Sequence, residues 1–151
     1  MTEKSLLRSL LEHNVKFVVI GGLSLPHYGF ERFTQDVDIF IEPTKANVKR
    51  VIIALQKSGY DIVEKEHVNL FLSKKVLLRD YVVQTDIHPF VKGSDFKTIW
   101  KNKVETVMFG IKVFIPHIDD LLAMKKAAGR PKDKQDILWL NEFKKQSKKK
   151  K

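Results

Sequence analysis

Apolar positions change their period along the chain, and the changes mark the elements. Leu6, Leu7, Leu10 and Leu11 recur at helical spacing within Ser5–His13, with Thr2 placed to cap the helix and Glu3 near its positive end. Asn14 breaks this helix. Lys16–Ile20 is then a continuous apolar run, the pattern of a strand buried on both faces. Gly21 and Gly22 follow, and Leu23–Tyr28 predicts a short helix in which Pro26 is tolerated in the first turn and Tyr28-Gly29 closes it. From Asp36 the period is two: Asp36 and Asp38 share one face while Val37, Ile39 and Ile41 share the other. Pro43 ends that strand, Thr44 caps, and Val48, Val51, Ile52 and Leu55 give a helix that stops at Ser58-Gly59. Strand, helix and strand in this order imply a right-handed crossover.

Beyond Tyr60 the pattern predicts extended pieces at Tyr60–Val63, Val68–Ser73 and Lys75–His88, in a partly antiparallel sheet. Phe96–Lys101 predicts a short helix, and Val104–Phe109 with Ile111–Ile115 a hairpin around Gly110. Ile118, Leu121, Leu122 and Lys125 fall at helical spacing, with Asp119 and Asp120 in the first turn, where acids favour the helix dipole. Gly129-Arg130-Pro131 separates this helix from a last one carrying Ile137, Leu138, Leu140 and Phe143 on its apolar side. Trp100 and Trp139 are read as core or interface residues. The expected fold is α/β (α+β), a mixed β-sheet flanked by helices, with C-terminal helices.

Composition bounds this picture. The 151 residues allow one domain with a proper core, expected over 1–143, with 144–151 a disordered lysine-rich tail. The net charge of +10 is largely that tail: six lysines lie in KKQSKKKK, which leaves +10 − 6 = +4 for the rest. No apolar run approaches the roughly 20 residues of a membrane span, and the first ten residues lack a secretory pattern. Cysteine is absent, which excludes disulfides and thiolate metal sites. A cytoplasmic location is expected. Zinc-ligand spacing, a Walker lysine motif, a serine nucleophile elbow and internal repeats are also missing.

The chemistry concentrates between Lys16 and Pro43. Two carboxylates on one strand face repel unless a cation lies between them, and Mg²⁺ is held by one or two carboxylates together with substrate phosphate oxygens. Gly21 and Gly22, without Cβ atoms, let backbone N–H groups approach an anion closely. A strand, a glycine turn and paired acids suggest metal-assisted phosphoryl transfer. Arg32 either binds a phosphate or positions Asp36 by an ion pair, and Thr34 is a neighbouring contact or a strand-entry residue. Asp86 is presented on one face of a strand with Val82, Gln84 and His88; its ordinary reading is a strand cap or a pair with Lys or Arg. Lys125 and Arg130 either neutralise a nucleotide phosphate or remain solvated, and Asp133 and Asp136 orient them or cap the final helix.

The segment Ile20-Gly21-Gly22, thirteen residues, then Asp36-Val37-Asp38-Ile39 resembles the signature of the nucleotidyltransferase superfamily that includes polymerase beta. With Arg32, Thr34 and the later KKAAGRPKDKQDI stretch, it is similar to small bacterial nucleotidyltransferase-like proteins related to abortive-infection toxins. The resemblance implies a nucleotidyltransferase-like fold and a site in which Asp36, Asp38 and Asp86 are the catalytic and metal-binding carboxylates, holding Mg²⁺ or Mn²⁺. It assigns nucleotide binding to Gly21, Gly22, Ser24, Arg32, Thr34, Lys125 and Arg130. Gly22 stands where the superfamily often has serine, with Ser24 nearby. The implied reaction moves a nucleoside monophosphate from a triphosphate to a hydroxyl of RNA (particularly tRNA), a protein or a small molecule such as an antibiotic. The alternative is a catalytically inactive relative acting as a binding partner, for example in a toxin–antitoxin pair with a cognate antitoxin, or as a homo-oligomer.

Overall fold

A computed structural model of the chain describes residues 1–30, 34 and 36–149. Helix α1 (Glu3–Glu12) opens on a capping box: the Ser5 N–H donates to the Thr2 hydroxyl and the Thr2 N–H to the Ser5 hydroxyl. Strand β1 (Phe17–Ile20) leads into two short 3₁₀ turns, Gly21–Ser24 and Pro26–Tyr28, in place of the single short helix expected there. Then come β2 (Asp36–Ile41), α2 (Lys45–Lys57), α3 (Glu64–Ser73), β3 (Val76–Leu78), β4 (Gln84–His88), α4 (Phe96–Asn102), the hairpin β5 (Val104–Met108) and β6 (Ile111–Ile115), α5 (Ile118–Ala128) and α6 (Asp133–Lys149).

The main sheet has the order β1-β2-β4-β3. β1 pairs antiparallel with β2, β2 parallel with β4, and β4 antiparallel with β3, so the sheet is mixed and flanked by helices as expected. Its two faces are sorted by the period of two. Phe17 and Val19, then Val37, Ile39 and Ile41, then Ile87 enter the large core with α1 and α2. Val18, Ile20 and Phe40 meet Phe96 and Ile99 in a smaller cluster on the opposite face. Asp36 and Asp38 have the parity of Phe40, and Asp86 has the parity opposite to Ile87, so all three carboxylates lie on the face of the smaller cluster.

Three expectations are corrected. Val68–Ser73 is the end of helix α3, and Tyr60–Val63 has no regular structure. Val68 and Phe71 are buried at a spacing of three while Glu64 and Glu66 occupy the first turn, a helical pattern that the β-prone composition obscures. The stretch Lys75–His88 is two strands separated by an irregular segment. Helix α6 runs past residue 143 to Lys149. Lys144 anchors that end on the Asp119 carboxylate at 2.6 Å, holding Asp119 below the ordinary carboxylate range, and Lys148 and Lys149 suit the negative end of the helix. On α6, Ile137 and Phe143 pack inward and Leu140 is buried, but Leu138 is exposed.

Candidate functional site

The pairing of β2 with β4 brings the acids together. Asp38 and Asp86 are direct partners in the parallel register, and Phe40 is the partner of His88. His88 Nε2 lies 2.9 Å from Asp38 Oδ1. One ligand atom from each of Asp38, Asp86 and His88 lies within 4.8 Å of the other two. Asp36, two residues before Asp38, completes a row of three carboxylates on adjacent strands.

That row already holds a positive charge. Arg79, just beyond β3, donates from Nε to Asp86 Oδ1 at 2.9 Å and from Nη2 to Asp86 Oδ2 at 2.7 Å, and its Nη1 is 3.5 Å from Asp36 Oδ2. Asp86 is 5% exposed, so both of its oxygens are satisfied by this one side chain at a site that water barely reaches. The hydrogen bond to Asp86, together with the charges of Asp86, Asp36 and Asp38, raises the guanidinium above its already high ordinary pKa. Asp86 is thus paired with an arginine, one of its ordinary expectations, while lying beside Asp38 in the sheet. A cation seated among these oxygens is the test of the donor set: three carboxylates with an adjacent imidazole match a hard divalent ion such as Mg²⁺ or Mn²⁺.

Above the acids is a cavity of about 700 Å³, a size that accommodates a nucleotide. Gly21 and Gly22, Thr34, Asp36, Asp38, Asp86, Lys125 and Arg130 all line it. Gly21 has φ +69°, and a Cβ there would fall 2.6 Å from Asp38 Oδ2. Gly21→Ala is expected to push Asp38 out of the row and lower activity at least tenfold, about 1.4 kcal/mol of barrier, beyond any change in melting temperature; rates set against thermal melts check this. A Cβ at Gly22 would be 3.0 Å from that of Thr34, so glycine at 22 and the branched residue at 34 fit one another. Ser24 is not brought to the site: fully buried, it spends its hydroxyl on the Gly21 carbonyl at 2.7 Å within the 3₁₀ turn. Arg32 lies outside the described residues.

The far wall comes from the α5–α6 turn. Lys125 Nζ is 3.0 Å from Asp136 Oδ2 and 3.5 Å from Asp133 Oδ1, and Arg130 grips Asp133 through Nε at 2.8 Å and Nη2 at 3.1 Å. Both carboxylates are 1% exposed in the first turn of α6. Burial pushes Asp133 upward, but the hydrogen bond from Arg130 and the charges of Lys125 and Arg130 outweigh it and hold the group below its ordinary 3.8.

Sequence reasoning missed Arg79 and took His88, a lone histidine beside proline, as structural more readily than as a substrate contact. His88 has the face parity of Asp86 and was within reach of pattern reading. Arg79 has the parity of Leu77, which pairs with Asp86, but that relation needs the register of β3 on β4. Lys75, Phe90 and Lys132 also line the cavity. Among the described residues, no helix is long and apolar enough to cross a membrane.

Comparisons with known proteins bear on the family and the fold. Residues 3–142 match a family described as nucleotidyltransferase of unknown function (DUF6036). No curated protein matches the sequence. Among solved structures, the lincomycin-bound crystal structure of the lincosamide antibiotic adenylyltransferase LnuA is similar, with a TM-score of 0.62 and 19% identity over 95% of this chain and 98% of that one. At that identity the likeness is one of fold.

Proposed function

The chain belongs to the DUF6036 family of nucleotidyltransferases, and from that premise we propose that it transfers a nucleoside monophosphate from a nucleoside triphosphate to a hydroxyl acceptor, releasing pyrophosphate. The observation that carries this reading is the in-register placement of Asp38 beside Asp86 on parallel strands, under a cavity whose rim carries Gly21 and Gly22. Asp36, Asp38 and Asp86 are the residues that would hold a divalent cation. Such an ion, Mg²⁺ or Mn²⁺, supplies charge neutralisation at the triphosphate and acidifies the acceptor hydroxyl.

The chain's own groups do the rest. His88 orients Asp38 through their hydrogen bond. The Gly21-Gly22 turn receives the phosphates, and Arg130, half-exposed at the cavity wall, adds charge to them. The acceptor oxygen attacks the α-phosphorus as the bond to the pyrophosphate oxygen breaks, and the hydroxyl proton passes to the Asp86 carboxylate. The reading extends to a small hydroxylated acceptor ahead of RNA or protein. LnuA, named for a lincosamide antibiotic, has nearly its whole length matched by this chain, which supports testing small hydroxylated molecules first.

One observation favours the rival, a non-catalytic binding protein such as a toxin–antitoxin component: Arg79 already neutralises Asp86. Incubation with α-labelled triphosphates, Mg²⁺ or Mn²⁺, and pools of small hydroxylated molecules, RNA or protein separates the two. The catalytic reading predicts label in one pool with stoichiometric pyrophosphate; release of neither label nor pyrophosphate under any condition supports the binding protein.

A further inference from the structure

Arg79 is left without a task by the reaction as written. It sits at the end of the edge strand β3, where residues 80–83 are irregular, and its side chain is 45% exposed while the carboxylate it grips is nearly buried. The guanidinium is paired with Asp86 and Asp36. Both oxygens of Asp86 are engaged by Nε and Nη2. A cation that coordinates Asp86 therefore competes with Arg79 for the same two oxygens and places a second positive charge against the guanidinium.

We propose that Arg79 exchanges places with the divalent metal: it holds Asp86 and Asp36 in the metal-free protein, and on metal binding turns to the triphosphate as a phosphate-positioning residue. The proposal rests on the reading of the three carboxylates as metal ligands. Its physical basis is charge. Three carboxylates on neighbouring strands require a counter-charge, and Arg79 supplies it when nothing else does. Once displaced, the guanidinium is tethered beside the cavity it already lines, where the only strongly anionic newcomer is the triphosphate, whose oxygens a planar guanidinium can grip in pairs. Metal alone repels Arg79 without giving it a new partner, whereas metal with nucleotide gives it one. Metal and nucleotide binding are thereby coupled, each strengthening the other by the same factor.

The test is titration of Mn²⁺ into the full-length protein, followed by electron paramagnetic resonance of free Mn²⁺, with and without ATP, for wild type, Arg79→Met and Arg79→Lys. Arg79→Met is expected to bind Mn²⁺ alone about tenfold more tightly than wild type and to lose part of the coupling to ATP, the remainder coming from direct contact of the metal with the triphosphate. Arg79→Lys, with a point charge and no fork, falls between. Thermal melts supply a second readout: Arg79→Met is less stable in chelator and recovers on Mn²⁺ addition by a larger shift than wild type. Equal Mn²⁺ affinity in wild type and both variants, or undiminished coupling in Arg79→Met, overturns the exchange while leaving the metal site standing. Failure of all three proteins to bind Mn²⁺, with or without ATP, overturns the metal site and the exchange together.

Discussion

Asp38→Asn is expected to lower nucleotidyl transfer about a thousandfold, the upper range for removing one preorganised charge from a site, without unfolding the protein. Asp38 stands where three constraints meet. It pairs across the sheet with Ile20, at the glycine turn, on one side and with Asp86 on the other. Its Oδ1 meets His88, and its Oδ2 leaves no space for a Cβ on Gly21. Asparagine preserves size and one acceptor oxygen, so packing survives while the charge is lost. Removing one of three clustered negative charges relieves repulsion in the metal-free protein. The melting temperature should therefore hold or rise as the rate collapses. Steady-state rates and circular-dichroism melts on the same preparations check this pairing.

Lys125→Met is expected to act the other way, on stability first. Lys125 is 12% exposed and faces two carboxylates that are each 2% exposed at the side chain. Breaking a buried ion pair by removing one partner costs about 3–5 kcal/mol, because the carboxylates lose a cation at a site water barely reaches. Arg130 still neutralises Asp133, which places the expected loss near the lower figure, about 3 kcal/mol, or roughly 6–12 °C in melting temperature for a chain of this length. Arg130→Met, at a side chain 53% exposed to the cavity and solvent, should instead weaken triphosphate binding with a smaller loss of stability. Equal effects of the two substitutions on melting would contradict the division of labour between an architectural lysine and a phosphate-facing arginine.

The same cluster fixes a pH dependence. Asp133 is held below its ordinary 3.8 in the folded protein. Its contribution to stability is complete above that ordinary value and disappears as the pH falls through the lowered one. Wild type should therefore lose stability on acidification below about pH 4, and Lys125→Met, having lost part of what lowers Asp133, should lose less over the same window.

Much of this site was legible in the sequence because it depends on local periodicity. Asp36 and Asp38 share a face in any strand, and Asp86 and His88 share one in theirs. That the two faces coincide depends on β2 and β4 being neighbours in a particular register, which the resemblance anticipated and the residues alone did not specify. Arg79 was illegible for the same reason, since its partner is fixed by how an edge strand aligns. Ser24 lies close to Gly22 in sequence, yet a 3₁₀ turn places its hydroxyl on the Gly21 carbonyl. Helix α3 was misread because Val68, Phe71 and Leu72 have strand composition and helical spacing, and the spacing governs. The terminal lysines were read as a solvated tail; Lys144 finds Asp119, 25 residues away in sequence, and the helix continues.

Isothermal titration of ATP into wild type and Asp38→Asn, each with Mg²⁺ and with chelator, measures whether the carboxylates bind triphosphate through a metal. Saturable binding is expected for wild type with Mg²⁺, and binding at least tenfold weaker, about 1.4 kcal/mol, both for wild type in chelator and for the variant with Mg²⁺. Triphosphate binding that is unchanged by removal of the metal and by loss of the Asp38 carboxylate would contradict binding through a metal.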